Sequence, residues 1–251
     1  MASEALEKLK CTCPICGGPN KLLGTIPFER NNAEVAYLTN REIDYYKCEK
    51  CNFISCPEML VWTAEDLGRE VYNDTYVNYD PDYIETRPTN YAISFFNSVP
   101  YPLARKLKHL DYGGGSGIMA SKLREHGWNS PSYDPYYEHS TRPTEKYNLI
   151  TAIEVVEHAL DIRKTFKDII SLLTKDGMIL FSTQLANKST DISWWYIGAR
   201  NGHISILSKD SLKLLAIENG MYFQSVNEGL HIFQPSRTTA SNILGWNVPR
   251  Y

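Results

Sequence analysis

His109-Leu110-Asp111-Tyr112-Gly113-Gly114-Gly115-Ser116-Gly117-Ile118-Met119-Ala120 is the stretch from which the fold can be read. An apolar segment ends in an acid, glycines follow at 113, 115 and 117, and a helix-forming run occupies 118–126. That order predicts a strand, a tight turn and a helix start. Glycine takes positive φ and lacks a Cβ, so the backbone can reverse sharply and press against a ligand. The first N–H groups of the helix have no intrahelical partner and point at that ligand. The stretch is a candidate cofactor-binding turn.

Working outward, the pattern is β-α-β. Residues 106–111 predict a strand, 116–126 a helix, and 128–134 a second strand ending in Asp134. Residues 147–153 read as a buried strand, and 161–173 as a helix with Ile162, Phe166, Ile169, Ile170 and Leu173 near period 3.6. Asp176-Gly177 predicts a turn before a strand at 178–183. Residues 209–219 predict a helix capped by Ser208 and stopped by Gly220. Residues 222–226 and 230–233 predict closing, antiparallel strands. The fold class is α/β, a Rossmann-like, mainly parallel sheet with helices on both faces. Ligands of such sheets sit beyond the strand C-termini, where the strand order reverses.

The chain has 251 residues, 43% of them hydrophobic, and a net charge of -3. This suits one large domain plus a small one, with no global pull toward nucleic acid or anionic membrane. No apolar run approaches ~18 residues, so no membrane span is expected. Residues 1–10 are charged, lack the apolar core of a secretory signal and suggest a short amphipathic helix. A cytoplasmic location is the expectation. The expected divisions are a zinc-binding module at 1–60, a tyrosine-rich connector at 61–102 and a cofactor-binding domain at 103–251. A single sequence sets no oligomeric state.

All six cysteines precede residue 57. Without a secretory signal they suggest a metal site rather than disulfides. Cys13-Pro14-Ile15-Cys16 and Cys48-Glu49-Lys50-Cys51 are two CxxC knuckles. Four thiolates suit tetrahedral, structural Zn²⁺ with no open position. A hairpin is expected between the knuckles, with strands at 21–26 and 35–38 around Asn31-Asn32, the first closed by Pro27. Cys11 and Cys56 are left over, Cys11 being an alternative to Cys13; free buried cysteines are the plain reading. The connector holds Tyr79, Tyr83 and Arg87, candidates for the wall of an acceptor site or for packing. Asp80-Pro81 and Arg87-Pro88 mark boundaries, and a helix capped by Thr89 is expected at 89–99.

Asp111-x-Gly113-x-Gly115-x-Gly117, followed by Asp134, resembles the class I S-adenosylmethionine-dependent methyltransferases over about residues 89–234. The resemblance implies that the turn, from Asp111 and Tyr112 through Gly113, Gly115 and Gly117, lies against S-adenosyl-L-methionine. Asp134 would then take the ribose hydroxyls, as a carboxylate can. Asp111 would orient the turn and the cofactor's ammonium. The rival is a dinucleotide fold, since residues 115–120 also fit GxGxxA. Between Asp134 and Tyr147 there is little room for a helix and a third strand, so no adenine-reading residue is assigned.

Ile153-Glu154-Val155-Val156-Glu157-His158 follows the buried strand. If helical, it places Glu154, Glu157 and His158 on one face. The stretch is similar to the Glu-x-x-Glu-His element of metal-dependent O-methyltransferases, small-RNA ribose methyltransferases among them. The resemblance implies a Mg²⁺ or Mn²⁺ site at Glu154, Glu157, His158 and a later histidine, for which His203 is the candidate. A metal-free reading makes His158 or His203 the general base; the plain reading is structural, with Glu154 near the cofactor.

Zinc modules precede methyltransferase folds in sugar-nucleotide C-methyltransferases and in some ribosomal-RNA guanine methyltransferases, which this chain resembles in part. The acidic balance disfavours a nucleic-acid partner. Trp194, Trp195 and Tyr196 are candidates to stack on a sugar, or equally to bury their loop. The expected reaction is O-methylation of a sugar hydroxyl in a carbohydrate or nucleotide-sugar acceptor. Alternatives are RNA ribose 2′-O- or base methylation, and a non-catalytic zinc-dependent binding module on this scaffold.

Overall fold

The computed structural model describes residues 2–30, 41–137 and 140–246. The first half contains α1 (Ala2–Cys11), β1 (Asn20–Pro27), β2 (Glu42–Cys48), β3 (Ile54–Ser55), α2 (Pro57–Leu60), α3 (Ala64–Glu70), α4 (Thr86–Ser98), α5 (Tyr101–Ala104), β4 (His109–Tyr112) and α6 (Ile118–Glu125). The second contains β5 (Ser132–Tyr133), β6 (Tyr147–Ala152), α7 (Ile162–Ser171), β7 (Leu173–Ser182), β8 (Ser205–Ile206), α8 (Lys209–Glu218), β9 (Tyr222–Ser225), β10 (Leu230–Gln234) and α9 (Thr239–Leu244). Short 3-10 turns lie at Tyr76–Asn78 and Val156–His158.

The chain forms two compact units that interleave in sequence, whereas three consecutive stretches are the sequence expectation. One unit gathers residues 1–81, 156–163 and 184–215; the other gathers 82–155, 164–183 and 216–251.

The first unit is built on an antiparallel sheet of order β1-β2-β3-β8. Residues alternate along β2, so Ile43 and Tyr45 are fully buried. They pack with Ile54, Met59, Val71, Ile197, Ile204 and Ile206. β1 ends at Pro27, as expected. The expected strand at 35–38 and turn at Asn31-Asn32 lie outside the described residues. The partner that β1 takes is Glu42–Cys48, which delivers the second knuckle. α3 starts on a capping box in which Thr63 and Asp66 bond reciprocally.

The second unit carries a six-stranded sheet of order β5-β4-β6-β7-β10-β9. β5, β4, β6 and β7 are parallel; β10 runs antiparallel to β7 and β9. The order reverses between β4 and β6, so the C-terminal ends of those strands form the switch point. Ile162, Phe166 and Ile169 of α7 are buried, and Phe166 stacks on Phe233.

Three local expectations change. β5 keeps only two of the seven expected residues, since Pro131 has no N–H for the ladder. α4 starts at Thr86, before Thr89, because Pro88 falls in the first turn, where no intrahelical N–H is needed. Asp176-Gly177 does not break β7. A register shift between Tyr147 and Leu149 absorbs it, and a Cβ on Gly177 would lie 2.8 Å from the Tyr147 carbonyl.

Candidate functional site

In the six-stranded unit, β4 runs straight into the glycine turn. Gly113, Gly115 and Gly117 have φ of +72°, +53° and +78°, conformations costly for residues with a Cβ. Their surroundings differ. A Cβ on Gly113 would meet Val155 Cγ2 at 2.5 Å, and one on Gly114 would collide with Asp111 Oδ2 and Ser132 Oγ. A Cβ on Gly115 would meet nothing within 4 Å. The turn is closed beneath and open at Gly115, which fits a ligand seated against its backbone. Asp134 caps this opening: Oδ2 accepts from the Gly115 N–H at 3.0 Å and Oδ1 from the Tyr136 N–H at 2.8 Å.

Asp111 is only 2% exposed. Thr151 Oγ1 donates to its Oδ1 at 3.2 Å, and Oδ2 is buried without a hydrogen-bond partner. Burial pushes its carboxyl up to about 7, with the charge of Asp134 adding to the effect. Asp111 thus lies beneath the turn, with Oδ2 close under Gly114. Behind it, His109 is fully buried, bonding Ser130 through Nδ1 at 2.7 Å and Thr151 through Nε2 at 2.9 Å. Burial lowers its pKa to about 3, keeping the ring neutral. The Tyr112 side chain turns away from the turn and donates to Asp168 at 2.9 Å; only its backbone belongs to the turn.

At the end of β6, Glu154 takes a positive φ of +55°. Its N–H donates to Ser182 Oγ at 2.8 Å, and Ser182 Oγ donates back to Oε1 at 2.9 Å. Tyr91 Oη approaches the same oxygen at 3.5 Å. The expected helical face through Glu154, Glu157 and His158 does not form, because a left-handed residue cannot begin an α-helix and the 3-10 turn starts at Val156. Tyr91, Thr86 and Arg87 line a cavity of about 290 Å³ on α4. Tyr83 is 39% exposed.

The other unit holds two clusters. Donor atoms of Glu157, His158 and His203 lie within 4.8 Å of one another. His158 Nδ1 bonds the Gly202 carbonyl at 3.0 Å and His203 Nδ1 the Tyr196 carbonyl at 2.7 Å. A carbonyl only accepts, so each Nδ1 carries a proton. Glu157 is fully buried and accepts from Tyr196 Oη at 2.6 Å. Gly202, at φ +79°, lets the chain pass His158: a Cβ there would lie 2.9 Å from Nδ1. Two imidazoles and a carboxylate suit a divalent ion or a proton-accepting pair.

The second cluster is Cys13, Cys16, Cys48 and Cys51, whose sulfurs also lie within 4.8 Å. Cys13 and Cys51 are 3.7 Å apart and Cys16 and Cys48 3.3 Å. Tetrahedral zinc with bonds near 2.3 Å sets sulfurs about 3.8 Å apart. Backbone N–H groups of Ile15, Gly18 and Cys51 point at these sulfurs. The Cys51 thiol beside Cys13 pulls that sulfur's pKa down to about 5 while its own rises. Cys11 is exposed and Cys56 buried; neither belongs to the cluster.

Trp194 packs with Tyr196 at 5.3 Å and rims a polar cavity of about 320 Å³ lined by Asn187, Ser189, Thr190 and Asp191. Trp195 is 67% exposed. Tyr79 stands 4.2 Å under the Arg200 guanidinium. Tyr196, a candidate to stack on a sugar or to bury its loop, is buried and bonds Glu157; Ser182 and Gly202 are supports to which the sequence assigns no role. Only Gly202, a glycine beside a histidine, carries a local signal; the others meet their partners through the fold. No described helix is long and apolar enough to cross a membrane.

The sheet order, the glycine turn at its switch point and the acid ending the next strand define a Rossmann-like, class I S-adenosylmethionine-dependent methyltransferase. A Methyltransferase domain family model matches residues 83–226, more than half of the chain, and the chain belongs to that family. An O-methyltransferase family protein from Burkholderia thailandensis is similar in structure, with a TM-score of 0.51 at 10% identity, covering 71% of this chain and 67% of that one. The mitomycin 7-O-methyltransferase MmcR gives 0.51 at 11% identity, covering 69% of this chain and 60% of its own. Likeness at this identity shows the fold. No curated protein matches.

Proposed function

We propose that the chain is an O-methyltransferase acting on a sugar hydroxyl of a carbohydrate or nucleotide-sugar, with the hydroxyl proton taken at the His158–His203 pair. The observation that carries this reading is the clustering of the Glu157, His158 and His203 ligand atoms within 4.8 Å of one another, with each Nδ1 held by a main-chain carbonyl. Only Val155 and Val156 separate Glu154 from Glu157 in the sequence.

The residues fit S-adenosylmethionine. The open face of Gly115 admits it, the Gly113–Gly117 backbone and Glu154 border it, and the Asp134 carboxylate exchanges the Gly115 N–H for ribose hydroxyls. When bound, the cofactor supplies a methyl group on a positively charged sulfur. His158 or His203 accepts the hydroxyl proton at Nε2, and Glu157 offsets the resulting positive charge. In the alternative to proton acceptance at Nε2, Glu157, His158 and His203 would instead hold a Mg²⁺ or Mn²⁺ ion, which lowers the pKa of a bound hydroxyl. Cys13, Cys16, Cys48 and Cys51 would hold structural Zn²⁺. The polar cavity at Trp194, with exposed Trp195 beside it, suits a sugar; Tyr83 and Arg87 are further acceptor candidates, and Tyr79 supports Arg200.

The test is methyl transfer from radiolabelled S-adenosylmethionine to nucleotide-sugars, oligosaccharides, phenols and oligoribonucleotides, with calorimetry of the cofactor alongside. His158→Gln and His203→Gln are expected to abolish transfer and retain cofactor affinity. Transfer only to RNA would replace the acceptor class. No cofactor binding at high micromolar concentration would overturn the enzyme reading in favour of a binding module.

A further inference from the structure

The second cysteine knuckle and His203 belong to one sheet. β2 ends in Cys48, and Asn52, with φ +57°, reverses the chain into β3. β3 pairs with β8, whose first residue lies two positions after His203. β8 has only two residues, too few to hold itself in place. Three bonds to the knuckle side, and one from Ala186, fasten the surrounding segment. Tyr45 Oη donates to the His203 carbonyl at 2.9 Å, and the Cys56 N–H donates to the Ile204 carbonyl at 3.1 Å. Ser208 Oγ donates to the Cys51 carbonyl, and the Ala186 N–H to the Leu207 carbonyl at 2.7 Å. From its other side the segment fixes the remaining donors: the Ile204 N–H bonds the Glu157 carbonyl at 3.0 Å, and Ser205 Oγ bonds the Ala159 carbonyl at 2.8 Å. Tyr45 and Ile204 are fully buried, so water cannot replace these bonds cheaply.

We infer that the ion of the four-cysteine cluster is a positioning element for the Glu157–His158–His203 trio: it fixes β2 and β3, which hold β8 and hence His203 in register. This rests on the proposed role of the trio in methyl transfer. The unit that carries the glycine turn contributes no cysteine to the cluster. Loss of the ion therefore disables proton acceptance while cofactor binding survives. Tyr45 is a positioning residue that acts through the His203 carbonyl.

The experiment uses the full chain, loaded with zinc and then treated with a zinc-selective chelator under excess Mg²⁺. Three quantities are read: cofactor affinity by calorimetry, imidazole ¹⁵N–¹H signals of His158 and His203 by NMR, and single-turnover methyl transfer. Chelation is expected to change cofactor affinity less than threefold, to erase the Nδ1–H signals, and to slow transfer more than a hundredfold, with zinc restoring both. Tyr45→Phe is expected to keep its zinc and cofactor affinity, to shift the His203 signals and to lower kcat about tenfold with an altered pH profile. Imidazole signals unchanged in zinc-free protein would overturn the inference, as would cofactor affinity lost in parallel with them. If His203→Gln retains transfer while the signals still follow zinc, the functional reading fails and the positioning inference stands.

Discussion

Tyr196 donates to Glu157 Oε1 at 2.6 Å while its ring lies 4.2 Å from that of His203. One side chain thus orients both the carboxylate and an imidazole. Hydrogen bonds to charged groups contribute about 1.5–3 kcal/mol. Tyr196→Phe removes the bond and keeps the ring, so methyl transfer is expected to fall about ten- to a hundredfold with cofactor Kd unchanged. Steady-state kinetics beside calorimetry checks this; a rise in cofactor Kd with kcat intact would contradict it.

Gly202 is where the chain comes closest to His158. Gly202→Ala adds a methyl 2.9 Å from Nδ1 in a conformation, φ +79°, that disfavours a side chain. The strain is about 1–2 kcal/mol. Denaturant titration is expected to show that loss, and kcat to fall as the His158 ring is pushed off the Gly202 carbonyl. Full activity in the variant would mean that His158 takes no part.

The glycines of the cofactor turn separate fold from ligand. Gly115→Ala meets no protein atom, so its Tm is expected to drop by only a few degrees while S-adenosylmethionine affinity falls at least tenfold. Gly113→Ala runs into Val155 at 2.5 Å and is expected to destabilise the whole unit. Equal cofactor affinity in Gly115→Ala and the parent, by calorimetry, would place the ligand elsewhere.

Asp111 sets a pH dependence. Burial raises its folded pKa from 3.8 to about 7. Between those values the folded protein holds a proton that the unfolded chain releases. The contribution is therefore complete below about pH 4 and lost as pH rises through 7; three pKa units correspond to at most about 4 kcal/mol. Tm of the ligand-free protein is expected to fall between pH 6.5 and 8, and Asp111→Asn to flatten that fall. His109, with its pKa lowered to about 3, adds an acid-side loss below pH 6.5 that both proteins share. Parallel Tm curves for the two proteins above pH 6.5 would refute the assignment.

The sheet was readable from sequence because its signals are local. Asp111 through Gly117 marks a strand, turn and helix start within a dozen residues, and the spacing in α7 announces its buried stripe. The cysteine cluster was readable for the same reason: each CxxC encodes its own knuckle. What fails is whatever a distant partner decides. Glu154 looks like a helical neighbour of Glu157, but Ser182 holds it in a left-handed conformation from another strand. Tyr112 looks like part of the turn until Asp168 claims its hydroxyl. The pairing of His203 with His158 was anticipated by resemblance, while the carbonyls that fix their tautomers come from the backbone, which carries no residue signature.

The interleaving of the two units bears on how such a chain could be cut or recombined. The family match begins at residue 83, which invites treating everything before it as a detachable appendage. Yet three of the four strands beside His203 come from that earlier segment. Expressed from residue 83 alone, the remainder would keep the histidine without the sheet that aligns it. Grafting the cysteine segment onto a foreign methyltransferase would transfer a fragment rather than a module.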